Sequence, residues 1–395
     1  MRVALLMNFV APYRVPLLER LRELVGTLRV FISTPMENDR AWIPEWGTLD
    51  VVVQRNVTLY PTMTDLAGFI RPLQVHVPYD TIPRLLRYAP DVVISAELGA
   101  RTLQAVLYKA LRPRTKLLLW CFLSEHSERN WGLARRMLRR VILAAADGVM
   151  VNGESGARYV QRFGVADHLI TRVNQPVDVA RFAAAQRTRP AGACTRLLCV
   201  GMLNSRKGVL PFARRLMAWA VNNPRPAGSE PAEIWWLGDG DLRAELEALP
   251  WPPGLTPRFL GNVPYAEVPE TYAQCDLLVF PTLLDEWGLV VNEAMAVGLP
   301  VLGSLYSQAV EELVIEGETG WVFDPQSEAS VDAGIVRALG TSPAAMAAMR
   351  EAVQARIARL TPETTAILIA DAIYQLRESP QSSLKAPTRT GEALQ

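Results

Sequence analysis

The chain has 395 residues, half of them apolar, with 41 lysines and arginines against 40 acids. That length exceeds one compact core and calls for two domains; at a net charge of +1, no nucleic-acid partner is expected. No apolar run approaches the roughly 20 residues of a membrane span, and the start "MRVALLMNFVAPYR" turns polar too soon for a signal peptide. The four cysteines (121, 194, 199, 275) lie mostly in apolar runs without metal-like spacing, which reads as reduced core residues of a cytoplasmic protein.

The even charge total hides a split. Residues 1–182 carry 24 basic against 16 acidic side chains, and the remainder carries 17 against 24. A basic first half suits an anionic partner. The segment "GLARRMLRRVILAAA" (132–146) concentrates the charge, with four arginines among apolar residues at helical spacing. A solvated helix face is its plain reading, and an anionic membrane surface the alternative.

In chain order, "RVALLMNF" reads as a buried strand, "YRVPLLERLRELVG" as an amphipathic helix stopped by glycine, and "LRVFIST" as the next strand. Residues 35–80 show no regular pattern. Then come "DVVISA", the helix "ARTLQAVLYKAL", "TKLLLWCF", the arginine-rich helix, "GVMVNG", a helix from "ESGARYVQRFG", and "LITRVN". Short apolar runs alternating with helices predict a doubly wound parallel sheet. The pattern lapses at 183–195, a linker, and resumes with "RLLCVGM", "EIWWLG", "RFLG", "DLLVFPT", "PVLGS" and "GWVFDP", each followed by a helical or turn segment.

The expected organisation is therefore α/β: two Rossmann-like domains, 1–182 and 196–360, facing a central cleft. A last helix (361–378) returns to the first domain, and a polar tail (379–395) is expected to be disordered.

Three stretches carry chemistry. In "VGMLNSRKGV" (200–209), Arg206 and Lys207 sit on a strand-to-helix loop beside Gly208; a lysine there can lie over a phosphate as a point charge. In "GDGDLRAELEAL" (238–249), Asp239 and Asp241 form a metal-like DxD, but a glycine turn before a helix makes Asp241 an N-cap instead. In "LLDEWGLVVNEAMAVGLPV" (283–301), a helix starts near Gly288, Leu289 and Val290, whose bare backbone N–H groups can bind a phosphate. Gly288 permits its close approach. Glu293, one turn on, can accept from both hydroxyls of a ribose, and Asp285 and Glu286 can accept from sugar hydroxyls. Acid, phosphate site and acid together fit a nucleotide-diphosphate sugar.

These residues resemble the retaining glycosyltransferases of family 4, of GT-B fold, over nearly the whole chain. Two acids separated by seven residues, around Gly-Leu-Val, are the most specific mark, although Asp285 stands where the family usually has Glu. The loop from Gly201 to Gly208, the "GDG", "GNVPYAEVPETYAQCDLLVFPT", "NQPVDVARF" (174–182) and the opening "NFVAPYRVPLLERL" are similar to the family's further marks.

The resemblance implies a ribose on Glu293, a pyrophosphate on Lys207, the distal phosphate on the N–H groups of Leu289 and Val290, and the sugar on Asp285 or Glu286. It implies the base near Val263 and the acceptor near Asn8, Tyr13 and Arg14. Met202 stands where the family carries an arginine, a role Arg206 can substitute. The family often has a histidine near the anomeric carbon; His126, after "TKLLLWCF", fits that place, whereas His76 and His168 read as structural.

The expected reaction moves a sugar from a nucleotide-diphosphate donor to a glycan or lipid-linked acceptor, in bacterial cell-surface polysaccharide synthesis, without a metal or other cofactor. The expected site is cytoplasmic, peripheral on the inner face of the membrane. A nucleotide-sugar-binding protein without turnover and a GT-B-like epimerase are the rivals. A dinucleotide oxidoreductase is disfavoured, because neither half opens with G-x-G-x-x-G.

Overall fold

The computed structural model describes residues 1–37, 44–64, 70–72, 74–127, 132–185, 187, 195–224 and 231–378. Most of the expected linker, Cys194 and the tail 379–395 lie outside the described residues.

In the first domain, strands β1 (Arg2–Met7), β2 (Thr27–Ile32) and β3 (Asp50–Val53) precede two short antiparallel ribbons. These are β4 (Asn56–Leu59) with β7 (Val75–Pro78), and β5 (Thr62–Thr64) with β6 (Ile70–Pro72). Strands β8 (Val92–Ala96), β9 (Lys116–Cys121), β10 (Gly148–Val151) and β11 (Ile170–Arg172) follow. The main sheet runs β11-β10-β9-β8-β1-β2-β3, parallel throughout. β3 falls in the stretch without sequence pattern. It is a four-residue edge strand only half buried, so it shows neither a long apolar run nor clean alternation.

Helix α1 (Val15–Val25) buries Leu17, Leu18, Leu21 and Val25 on one face of this sheet and stops at Gly26, whose φ of 90° only glycine adopts freely. The other face carries α2 (Thr81–Tyr88), α3 (Ala100–Leu111), α4 (Leu133–Ala145) and α5 (Glu154–Gln161). A short α6 (Val179–Ala183) follows, its start capped by the Asp178 carboxylate, and buries Phe182 in the core of the second domain.

The second sheet runs β14-β13-β12-β15-β16-β17, again all parallel. Its strands are β12 (Arg196–Val200), β13 (Ala232–Leu237), β14 (Leu255–Gly261), β15 (Leu277–Phe280), β16 (Val301–Ser304) and β17 (Gly320–Phe323). Around it lie α7 (Val209–Asn222), α8 (Arg243–Glu247), α9 (Val268–Ala273), α10 (Leu289–Val297), α11 (Gln308–Leu313), α12 (Glu328–Leu339) and α13 (Pro343–Ile357). Leu242, not Asp241, stands before α8, and Asp239 accepts from the Gly240 N–H and pairs with Arg243. The turn after β13 extends one residue further than the sequence reading placed it.

The last helix, α14 (Pro362–Glu378), leaves the second domain and packs on α1, adding Ala366, Ile369, Ala370 and Ile373 to the first domain's core. Tyr374 donates to the Leu24 carbonyl at 2.8 Å. Strand order reverses beside β1 in one sheet and beside β12 in the other. A crevice opens at the carboxyl ends of the strands at each such point, and ligands of doubly wound sheets bind there.

Candidate active site

In the second domain the crevice lies between the loops after β12 and β15. Asn204 caps a 3-10 turn, Ser205–Lys207, by accepting the Lys207 N–H at 3.2 Å. Gly208 then closes the turn at φ 63°, where any Cβ would run into the Pro281 carbonyl oxygen. This close approach locks the lysine loop to the loop after β15. The Leu283 N–H donates to the Arg206 carbonyl at 2.9 Å, and the Arg206 guanidinium donates to the Leu284 carbonyl at 3.2 Å.

The lock brings Lys207 and Asp285 into a direct ion pair, both side chains largely buried, with Lys207 Nζ 5.0 Å from the centre of the Phe280 ring. Burial would raise the Asp285 carboxyl, but Lys207 and Arg206 beside it hold it below its ordinary value. The Asp285 N–H donates to the Tyr306 carbonyl at 3.1 Å. The Glu286 residue is exposed, and its carbonyl accepts from Gln308 at 2.6 Å and from Asn152 of the first domain at 3.2 Å. Of the two acids, Asp285 is the one that pairs with Lys207.

Gly288, at φ 105°, turns the chain into α10; a Cβ there would lie 2.7 Å from the Phe280 ring. No side chain caps this helix start among the described residues, and Leu289 and Val290, which open the helix, are half-buried. One turn on, Glu293 is 9% exposed and accepts from the Tyr272 hydroxyl at 2.8 Å. Burial pushes its carboxyl up to about 7, against the Tyr272 hydrogen bond and the charge of Arg181. Val263 and Tyr265 follow β14 on the same side. The Arg181 guanidinium lies 4.4 Å from the centre of the Tyr265 ring, over a partly open aromatic ledge. Met202 is 58% exposed on the loop after β12.

The first domain's crevice holds Asn8, Tyr13 and Arg14 after β1. Arg14 lies 4.2 Å from the centre of the Phe122 ring and donates to the Gln175 side chain at 3.4 Å. The Gln175 carbonyl in turn accepts from Asn292 on α10 at 2.9 Å, which ties this loop to the donor-side helix. His126, after β9, places its ring centre 4.5 Å from that of Tyr306, across the domain boundary. Glu125, beside it, is engaged by Arg158 at 2.6 Å and by Arg162.

One carboxylate escaped the sequence reading. Glu97, at the end of β8, accepts from the Asn8 amide at 3.0 Å. It holds φ at 70°, a left-handed conformation that a non-glycine residue adopts at a cost. It is open to the crevice yet deep within it, and this depth raises its carboxyl above the ordinary value despite Arg101 and Arg14 nearby. Arg101, 4% exposed, donates to Asn8 and, at 2.6 Å, to Ser33, behind Glu97. The signal was present in "SAELGA": an acid directly after a fully buried strand and before a helix start.

Residues 194–341, which hold Lys207, Asp285, Gly288 and Glu293, match the family described as glycosyl transferases group 1. The second domain is a group 1 glycosyl transferase domain. Over 218 residues the chain is 31% identical to a glycogen synthase of Mycobacterium tuberculosis, covering 54% of this chain and 49% of that protein. The chain thus spans about half the length of this relative. A shorter match, 34% identical over 82 residues and 21% of each chain, is to O-antigen chain mannosyltransferase B of Escherichia coli.

Two solved structures superimpose over nearly all of this chain. The lipopolysaccharide outer core galactosyltransferase WaaB, in its apo form, gives a TM-score of 0.69 at 14% identity, covering 95% of this chain and 99% of that one. Anabaena HepE in complex with UDP gives 0.68 at 17% identity, covering 95% and 100%. At such identities the likeness speaks for the fold, which is GT-B.

Proposed function

We propose that this protein transfers a sugar from a nucleotide-diphosphate sugar to a glycan or lipid-linked acceptor in the synthesis of bacterial cell-surface polysaccharide. Configuration at the anomeric carbon is retained and no metal takes part. The observation that carries this reading is the uncapped start of α10, bracketed by Asp285 paired to Lys207 and by the buried Glu293.

In the free enzyme Lys207 and Asp285 neutralise each other. The donor diphosphate takes Lys207, Arg206 and the N–H groups of Leu289 and Val290, which supply the charge neutralisation a metal gives elsewhere. Asp285 is then released to accept from the donor sugar's hydroxyls. Glu293 accepts from the two ribose hydroxyls, and the base lies along Val263 and the Tyr265 ledge. The acceptor enters over Asn8, Tyr13, Arg14 and Glu97, with His126 beside the anomeric carbon.

As the bond from the anomeric carbon to the diphosphate oxygen breaks, the acceptor oxygen bonds to that carbon on the same face. Its proton passes to the departing phosphate oxygen, so no protein nucleophile is required. A lipid-linked acceptor places the enzyme peripherally on the inner face of the cytoplasmic membrane. The similarity to O-antigen and lipopolysaccharide enzymes supports the polysaccharide assignment, while the glycogen synthase match makes a soluble glucan the competing acceptor.

The test is thermal shift against UDP, GDP, ADP and dTDP sugars, with and without EDTA, followed by NMR of the product's anomeric configuration. A midpoint raised by one nucleotide regardless of EDTA, and a retained product, are expected. An EDTA-sensitive shift, or an inverted product, would remove the metal-free or the retaining part.

A further inference from the structure

On the first domain's face opposite α1, helix α3 packs between α2 and α4. These three helices together contain eight basic residues and not one aspartate or glutamate. Surface helices ordinarily mix both signs along their outer faces; α1, by contrast, carries Glu19 and Glu23 beside Arg20 and Arg22. Some of the cations are committed inward or to neighbours. Arg101 faces the crevice, Arg139 is buried against the Tyr159 hydroxyl, Lys109 pairs with Asp147 and Arg84 with Asp80.

The outward arginines are a different set. Arg87, Arg112, Arg114, Arg136 and Arg140 are exposed, and none has an ion-pair partner among the described residues. Between them stand exposed apolar side chains that the core does not use. On α4, Leu133 (78% exposed), Met137 (60%) and Val141 (52%) recur every four residues, with Arg136 and Arg140 alongside. On α3, Leu107 and Leu111 are at least half exposed just before Arg112 and Arg114. Ile142 and Leu143 occupy the inner face of α4, so its outer apolar stripe is a second, separate one.

From these acid-free helices, whose outer faces are studded with apolar side chains, we infer that the outer surfaces of α3 and α4 dock on an anionic lipid bilayer. The arginines meet lipid phosphates, and Leu133, Met137 and Val141 enter the headgroup boundary. Charge complementarity excludes a neutral or cationic partner, and the interleaved apolar side chains favour a bilayer over a nucleic acid, whose phosphates take cations without an apolar stripe. The inference deepens the peripheral placement proposed above, yet it needs none of the donor chemistry, so the two can fail separately.

The test is flotation of the full chain with vesicles of phosphatidylcholine alone or mixed with phosphatidylglycerol, using wild type, R136E/R140E and L133S/M137S. The wild type should float with the mixed vesicles only. R136E/R140E should lose binding by on the order of tenfold or more, and L133S/M137S should lose the binding that survives raised salt. An unchanged nucleotide-induced thermal shift in both variants would show that fold and donor site are intact. Equal binding of variants and wild type, equal binding to neutral vesicles, no binding at all, or displacement by a duplex oligonucleotide would each overturn the inference.

Discussion

The His126 and Tyr306 rings meet at 4.5 Å across the domain boundary, and the Tyr306 carbonyl accepts the Asp285 N–H at 3.1 Å. One residue of the first domain is thus joined through a single residue of the second to the acid that pairs with Lys207. Replacing His126 by Ala should lower kcat by roughly tenfold to a hundredfold while leaving donor affinity nearly unchanged. A purely structural role would show the reverse: a lowered thermal midpoint with kcat preserved in the folded fraction.

Lys207 and Asp285 neutralise each other out of bulk water. Lys207→Met strands a carboxylate there and should cost about 1–3 kcal/mol of stability. Adding Asp285→Asn to the same chain should recover most of that loss in chemical denaturation. Donor affinity, measured by calorimetry, should stay low in both variants, because the diphosphate has lost its cation. Recovery of donor binding in the double variant would take Lys207 out of the phosphate site.

Glu293 titrates near neutrality, about 7, because burial disfavours its charge; unfolded it would return to 4.5. Its folded value is raised, so the stability it contributes is complete below the unfolded value and is lost as pH rises through about 7. The unliganded protein should therefore show a falling thermal midpoint over that window, and Glu293→Gln should flatten this component. Ribose hydroxyls donate to the ionised carboxylate, so donor affinity should move oppositely and rise through the same window. A donor affinity independent of pH in the wild type would remove Glu293 from the ribose site.

Gly208 holds φ at 63° against the Pro281 carbonyl. Gly208→Ala meets both a left-handed backbone and a backbone collision, at a cost of about 1–3 kcal/mol. Because the same contact locks the Lys207 loop to the Asp285 loop, nucleotide binding should fall further than the stability loss alone would take it. Calorimetry below the variant's melting range separates the two effects.

Glu97 sits in the first-domain crevice with Asn8 and Arg101 behind it. Glu97→Gln keeps the shape and removes the charge. It should raise the acceptor KM by roughly tenfold, the worth of one charge-assisted hydrogen bond, and leave donor binding unchanged. A change in donor binding alone would place this carboxylate on the wrong side of the cleft.

The alternation of apolar runs with helices, read along the chain, was enough to foresee two parallel sheets, since a strand buried on both faces needs a continuous apolar stretch such as "LLLWC". The loop from Gly201 to Gly208 and the stretch from Asp285 to Glu293 stand out in the sequence for a related reason: a tight turn into a helix start depends on local backbone geometry, which Gly208 and Gly288 mark. Strand β3 was not legible, because a short, half-buried edge strand borrows its stability from its neighbour rather than from its own pattern.

By itself, then, the sequence determined the fold class, the donor-side loops and the basic first half, because each is encoded over a few adjacent residues. Only the tertiary structure paired Asp285, and not its neighbour Glu286, with Lys207, a residue 78 positions earlier in the chain. It alone placed Glu97 beside Asn8, residues 89 apart, and gathered three acid-free helices onto one face. Those are relations between distant segments, set by the strand order of the sheets, and no local pattern carries them.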